Sequence, residues 1–507
     1  MSALSLDGRT LSWREVVRVA REGLRVRLAP QAKARMKRSR EVVEKHLAAG
    51  DVVYGVTTGF GKFAQIHIEA SHRRELQVNL LRSHAAGTGP DFPEDVVRAM
   101  LLLRANALAV GASGVRPLVA ERLLALLNAG VHPCVPEVGS LGASGDLAPL
   151  AHLALVLIGE GEALYQGRRL SGAAALRAAR LKPLELEAKE GLALLNGTQA
   201  MGAMACLLVH DAWDCAKLAD LAGAMSIDAT LSSRGPCDPA IHELRPYPGA
   251  KESAKNVRAL LSGSKIVMSH KHCARVQDPY SLRCLPQVHG AARDAIRHAE
   301  EMLAVELNAA TDNPLVLNDG RIMSGGNFHG QPIAIRLDYL ALALHELGSI
   351  SERRVDWIMN PNLTDLHAFL APEEGLHTGY MIAQYTAAAL VSENKTLCGP
   401  WSADTIPVSG NQEDHVSMGL TAARYCRKVL ENLRTILAIE ILCAAQAIGL
   451  RKLPTGHGLA AALKILRAKV PPLKQDRVVA LDIEQTRKLC ASGALIQAAE
   501  ARAGKLV

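Results

Sequence analysis

With 507 residues, of which 49% are hydrophobic but only 3% aromatic, the chain can bury a large core made mainly of Leu, Ala, Val and Ile, a composition that suits helices packed on helices. Its ten cysteines include no CxxC pair, which argues against a zinc site or a disulfide framework. A formal charge of +8 is modest and its densest run, KARMKRSR at 33–40, has the spacing of a solvated helix face; it suits attraction of an anionic small substrate better than binding of nucleic acid.

The first seven residues lack the basic start and apolar run of a leader, and the best membrane candidate, 436–450, is short and carries Glu440 and Gln446. A cytoplasmic protein without a membrane partner is expected. Residues 11–28 repeat apolar positions at helical spacing, with Ser12 and Glu15 placed for a capping box. A second helix over 31–48 follows Pro30. The pattern breaks at 51–61, DVVYGVTTGFG, whose valines, threonines and glycines spell a loop. Tyr54 within it reads either as a lid residue at the surface or as a phenol held in a pocket and able to accept a proton.

A short helix over 76–82 runs into Ser83-His84-Ala85-Ala86-Gly87, and amphipathic helices over 93–110 and 115–129 are joined at 111–114. Two prolines in VHPCVPEVGSLG, 131–142, restrict the approach to the glycine-rich loop that follows. From Leu147 onward the apolar residues and Pro149 read as the start of a buried helix with Asp146 as its N-cap. Ala143-Ser144-Gly145 then lies near the positive end of a helix, where negative charge is stabilised. Such a triplet is commonly just a turn. In a crowded loop it also permits the Gly145 nitrogen to close onto the Ala143 carbonyl carbon, and loss of two waters turns the Ser144 side chain into an exocyclic methylene.

After a less regular stretch at 162–190, Asn196 stands in GLALLNGTQAM, either a turn residue or an amide placed for a substrate carboxylate or amine. Long helices are expected over 198–225, 290–309, 331–359 and 416–450. That over 331–359 is apolar on more than one stripe, which suits the middle of a bundle or a subunit interface. In QDPYSLRCLPQ, 277–287, Arg283 stands three residues from Tyr280 and could hold a carboxylate in two parallel hydrogen bonds or pair with an internal acid. His270, His272 and Cys273 lack a second ligand cluster, so no metal is expected. TDNP at 311–314 and SGGNFHG at 324–330 form turns, with Phe328 a candidate pocket wall. NQEDHVSM at 411–418 places Glu413, Asp414 and His415 at the start of the last long helix, where acids are ordinary.

GSLGASGDLAPLAH and YGVTTGFG, together with RSHAAG, QDPYSLRC, SGGNFHG, SENK and NQEDHVSM, resemble the signatures of the aromatic amino acid ammonia-lyases, and of their histidine-specific members in particular. The resemblance implies a mainly α fold: a long-helix bundle of the ammonia-lyase/fumarase-like type, over 196–507, with a smaller loop-rich catalytic portion over 1–195. It implies a methylidene-imidazolone (MIO) group formed autocatalytically from Ala143, Ser144 and Gly145, with no external cofactor. It places the two essential tyrosines at Tyr54, as the base, and Tyr280. Asn196, Gln277 and Arg283 fall on substrate-binding positions, Phe328 on the ring-packing position, and His84 and Glu413 on positions that recognise an imidazole. The implied reaction is elimination of ammonia from L-histidine to give trans-urocanate, the first step of histidine degradation, in a homotetramer whose active sites are shared between subunits. Alternatives are a tyrosine or phenylalanine ammonia-lyase or 2,3-aminomutase, and a noncatalytic helical assembly protein. Gln331 departs from the acid found there in some relatives.

Overall fold

The computed structural model describes residues 3–63, 65–270 and 275–507; His272 and Cys273 lie outside them. The protein is mainly α, in keeping with its aromatic-poor, Leu- and Ala-rich composition. Its four longest helices are Gln199–Ala229, Leu285–Glu306, Gln331–Met359 and Gly419–Arg451. The strands of the described residues are two to four residues long and form three two-stranded sheets and one three-stranded sheet.

Contacts divide the chain into two compact units that are not contiguous in sequence. One comprises Met1–His210, Ala299–Asp338 and Pro400–Arg424; the other comprises Asp211–His298, Tyr339–Gly399 and Tyr425–Val507. A boundary near 195 therefore does not follow the packing, because the turns at 311–330 and the segment leading to 418 fold with the N-terminal residues. All the named strands belong to this first unit.

The run at 11–28 is not one helix. Trp13–Arg21 is helical and carries the expected capping box, with Ser12 Oγ accepting from the Glu15 amide at 3.3 Å and Glu15 Oε2 accepting from the Ser12 amide at 2.9 Å. Gly23 then turns left-handed, and Val26–Leu28 pairs in parallel with Leu4–Leu6. Three residues are too few for strand alternation to stand out against a helical period. The irregular stretch after 162 contains a hairpin, Glu162–Tyr165 with Arg168–Ser171, turned by Gln166 and Gly167 at positive φ.

The last long helix starts at Gly419, not at 416. Glu413, Asp414 and His415 consequently sit in the preceding loop, where Val408 and Glu413 exchange backbone hydrogen bonds of 2.9 and 3.3 Å. Gly419–Arg451 is long and apolar enough to cross a membrane by composition, but 78% of its apolar window is buried inside the protein.

Candidate active site

The glycine-rich loop is held by two other segments of the first unit, 417–418 and Gly197. Ser417 Oγ donates to the Gly142 carbonyl at 3.3 Å, and the Met418 amide donates to the Leu141 carbonyl at 2.9 Å. The Asp146 amide donates to the Gly197 carbonyl at 2.7 Å, beside a parallel bridge between Gly145 and Gly197. Gly145 has φ of +77°, and a Cβ there would run into the Gly197 backbone. Only glycine fits this position. A tight, braced Ala-Ser-Gly turn with no room at its third residue suits the ring closure described above.

Asp146 does not cap its own helix, Leu147–Leu157. Its ψ of 58° departs from the extended geometry of an N-cap. Its carboxylate instead caps the neighbouring helix: Oδ2 accepts from the Ala200 and Met201 amides at 2.9 Å each, and Oδ1 accepts from Ser140 Oγ at 3.0 Å. Complete burial with only neutral donors pushes this carboxyl up to about 7.

Beside the loop lies a cavity of about 1060 Å³, lined by Ala143, Ser144, Tyr54, His84, Asn196, Phe328 and Glu413. The structure thus brings together the candidate residues of the first unit, with Gly145 buried next to Ser144. Tyr54 is half-buried, its phenol oxygen accepting from the Gly61 amide at 3.1 Å and its ring edge-on to Phe60. The loop around it is ordered by threonines: Thr57 Oγ1 accepts from the Val53 amide at 2.8 Å and Thr58 Oγ1 from the Gly55 amide at 3.2 Å.

His84 ends the helix Arg73–His84, where its Nδ1 meets the Leu80 carbonyl at 2.9 Å. That contact assigns the proton to Nδ1 and leaves Nε2 as an acceptor. Burial lowers the His84 pKa, with the Leu80 bond opposing it. Glu413 is half-buried and burial raises its carboxyl above the usual range. Asn196 Nδ2 donates to the Asn313 carbonyl at 3.0 Å, while its Oδ1 is buried without a partner among the described residues.

His329 and Asn313, which the sequence reading does not single out, also line the cavity, as does His415, expected from sequence only as a first-turn residue of the last long helix. The two imidazoles stack at 5.8 Å with their planes 9° apart. The Gln331 amide donates to His329 Nδ1 at 3.3 Å, so Nε2 carries the proton and donates to the His415 carbonyl at 3.3 Å. The position of His329 beside Phe328 in a glycine-rich turn was the available signal. Gln331 itself donates through Nε2 to the Ser402 carbonyl at 3.1 Å, a bond that a carboxylate could not make.

Gln277, Tyr280 and Arg283 belong to the second unit and do not line this cavity. Tyr280–Arg283 is one helical turn, with Tyr280 70% exposed and the Arg283 guanidinium 4.7 Å from its ring centroid. Gln277 and Arg283 border a smaller cavity of about 490 Å³ together with Arg234 and Arg275.

Residues 11–468 match the family described as aromatic amino acid lyase. The chain belongs to the aromatic amino acid lyase family. It is therefore a carbon–nitrogen lyase. It is 55% identical over 506 residues to a histidine ammonia-lyase of Gloeobacter violaceus, covering 99% of this chain and 98% of that one. The crystal structure of histidine ammonia-lyase from Trypanosoma cruzi superposes with a TM-score of 0.91 at 42% identity, covering 99% of this chain and 96% of the other. That of a tyrosine aminomutase from Streptomyces globisporus superposes at 0.94 and 41%, covering 99% of each. Solved structures named for two different activities thus share this backbone.

Proposed function

We propose that this aromatic amino acid lyase is a histidine ammonia-lyase, which eliminates ammonia from L-histidine without oxidation and releases trans-urocanate, the first step of histidine degradation. The observation that carries the reading is that His84 and Glu413 line the same cavity as Tyr54 and Ser144. Identity to curated histidine ammonia-lyases over nearly the whole chain supports it.

Ala143, Ser144 and Gly145 would form the methylidene-imidazolone (MIO). That group supplies an electrophile, which no unmodified side chain in the cavity offers. Tyr54 takes the β-proton at its phenol oxygen, to which the Gly61 amide donates. Asn196 binds the substrate's polar end and Phe328 packs on its ring. His84 Nε2 accepts an imidazole N–H, and Glu413 serves the other ring nitrogen, giving or accepting a proton according to its state. Arg283, Gln277 and Tyr280 do not line this cavity. We infer that they complete the site of another copy, Arg283 holding the carboxylate, in a cytoplasmic homotetramer with shared sites. Light scattering that finds a fully active monomer would overturn this arrangement.

The likeness to a tyrosine aminomutase favours a second reading, action on tyrosine or phenylalanine as a lyase or 2,3-aminomutase. The ring of phenylalanine would leave both His84 and Glu413 without partners, and the single hydroxyl of tyrosine would take the place of two ring nitrogens, a loss of roughly 1 to 3 kcal/mol for each buried polar group left unpaired. Product analysis with L-histidine, L-tyrosine and L-phenylalanine separates the two. Abolition of the cofactor absorbance band by Ser144→Ala separates an enzyme from an inert scaffold.

A further inference from the structure

The helix Glu94–Ala109 is buried along almost all of its length, and in its middle stands a fully buried cation, Arg104. Its Nη1 donates to the Asn196 carbonyl at 2.9 Å and to Gln199 Oε1 at 2.6 Å, while its Nε and Nη2 are buried without a partner among the described residues. The acid that acts on it, Asp312, is already paired at 2.7 Å with the buried Lys189, so two cations share one carboxylate. Arg104 also bonds the first residue of the helix Gln199–Ala229, and helix N-termini repel cations. Burial brings its pKa down to about 10. A hydrophobic side chain would fill this space at lower cost if packing were the whole purpose.

The cation's position reaches the glycine-rich loop through a single residue. A Cβ built on Gly197 would collide with Arg104 Nη1 and lie 2.5 Å from Gln199 Oε1 and 2.8 Å from Thr311 Oγ1, and Gln199 is itself tied to Thr311 at 2.8 Å. On its other side Gly197 takes the Asp146 amide and bridges Gly145. Gly197 is thus wedged between the guanidinium and the residue whose nitrogen must close the ring. The same Arg104 bond fixes the backbone of Asn196, whose side chain faces the cavity.

We propose that Arg104 is a positioning residue for the 143–145 loop, holding Asn196 and Gly197 so that Gly145 is pressed into the geometry of ring closure. This rests on the reading that the loop forms a methylidene-imidazolone. A displacement of about 1 Å costs roughly 100-fold in an intramolecular reaction that depends on alignment.

The test is intact-mass spectrometry of the full chain after expression, with circular dichroism and melting temperature alongside. The wild type should be lighter than its sequence by two waters. In folded Arg104→Met, the fraction of chains carrying that deficit should fall to about a tenth or less, and Arg104→Lys, whose ammonium keeps the charge and can reach one of the acceptors, should recover part of it. Folded Arg104→Met that melts lower yet carries the full deficit would show a structural role only and overturn the proposal. If that variant does not fold, Gln199→Leu leaves the arginine but removes one anchor; the deficit should again fall, and a full deficit there would equally overturn it. A wild type without the deficit would instead sink the reading of the loop itself, whatever Arg104 does.

Discussion

Two aspartates, one in each unit, are completely buried and yet titrate in opposite directions. Asp220, in the helical second unit, has Ser253 and His289 on one oxygen at 2.6 and 2.8 Å and Asn256 and Arg293 on the other at 2.9 and 2.7 Å. Burial alone would raise its pKa, but Arg293 and the His289 bond hold it well below the usual range. His289 continues to Arg354, which grips Glu440 through two hydrogen bonds of 2.5 and 2.8 Å. Asp146, beside the glycine-rich loop, has three donors but no cation, and burial wins. The network around Asp220 and Glu440 closes its charges against one another, whereas Asp228 in the same unit, like Asp146, is held only by neutral donors, Ser264 Oγ and Thr455 Oγ1, and is raised by burial. The loop region leaves its charges open, with a carboxyl near neutrality, a cation lacking a carboxylate of its own, and a glutamate raised by burial in the cavity wall. Strongly perturbed buried groups gather at reactive sites, and what separates Asp146 from Asp228 is the cavity beside its loop.

Ser144→Ala removes the oxygen that ring closure must expel, so the protein should fold and lose nearly all turnover of L-histidine in a spectrophotometric assay. In the second unit, Glu440→Leu strands the Arg354 cation, and unfolding in denaturant should show a loss of about 3 to 5 kcal/mol, with the two-water mass deficit unchanged. Altered modification in that variant would break the division between structural and reactive charge.

Asp146→Asn sharpens the contrast through pH. The wild-type carboxyl keeps its proton in the folded state up to about 7, against 3.8 for a free aspartate. Its contribution is therefore full below pH 4 and lost as pH rises through 7, amounting to about 2 to 4 kcal/mol. Asparagine keeps an acceptor for the Ala200 and Met201 amides and a donor for Ser140, so its stability should be flatter between pH 4 and 7 in thermal melts. A slope unchanged by the substitution would contradict a carboxyl buried without a cation. The smallest effect concerns the pocket: His84→Phe with Glu413→Gln should lower kcat/KM for histidine by about 10- to 100-fold and narrow its advantage over phenylalanine, since each lost polar partner is worth roughly 1 to 3 kcal/mol.

The helical class is legible in the composition, and the long helices in their apolar spacing, because both reflect burial that repeats along the chain. The capping box at Ser12 and Glu15 is legible because its partners lie three residues apart. Short strands such as Val26–Leu28 show too little period to separate from a helix. The partner of Asp146 is invisible from spacing, since its acceptors serve the amides of Ala200 and Met201 more than fifty residues later. Glu413 reads as a helix first turn until the helix is seen to begin after Met418. Arg104 left a signal that composition blurs: a lone arginine in MLLLRANALA is a charge in a stretch apolar on every face.

Whether this cavity selects an imidazole is tested most directly by incubating the purified wild-type protein with L-histidine, L-tyrosine and L-phenylalanine in turn and identifying the products. The account predicts trans-urocanate and free ammonia from L-histidine, with turnover of the other two far slower. Preferred conversion of tyrosine or phenylalanine, to a cinnamate or a β-amino acid, would contradict it.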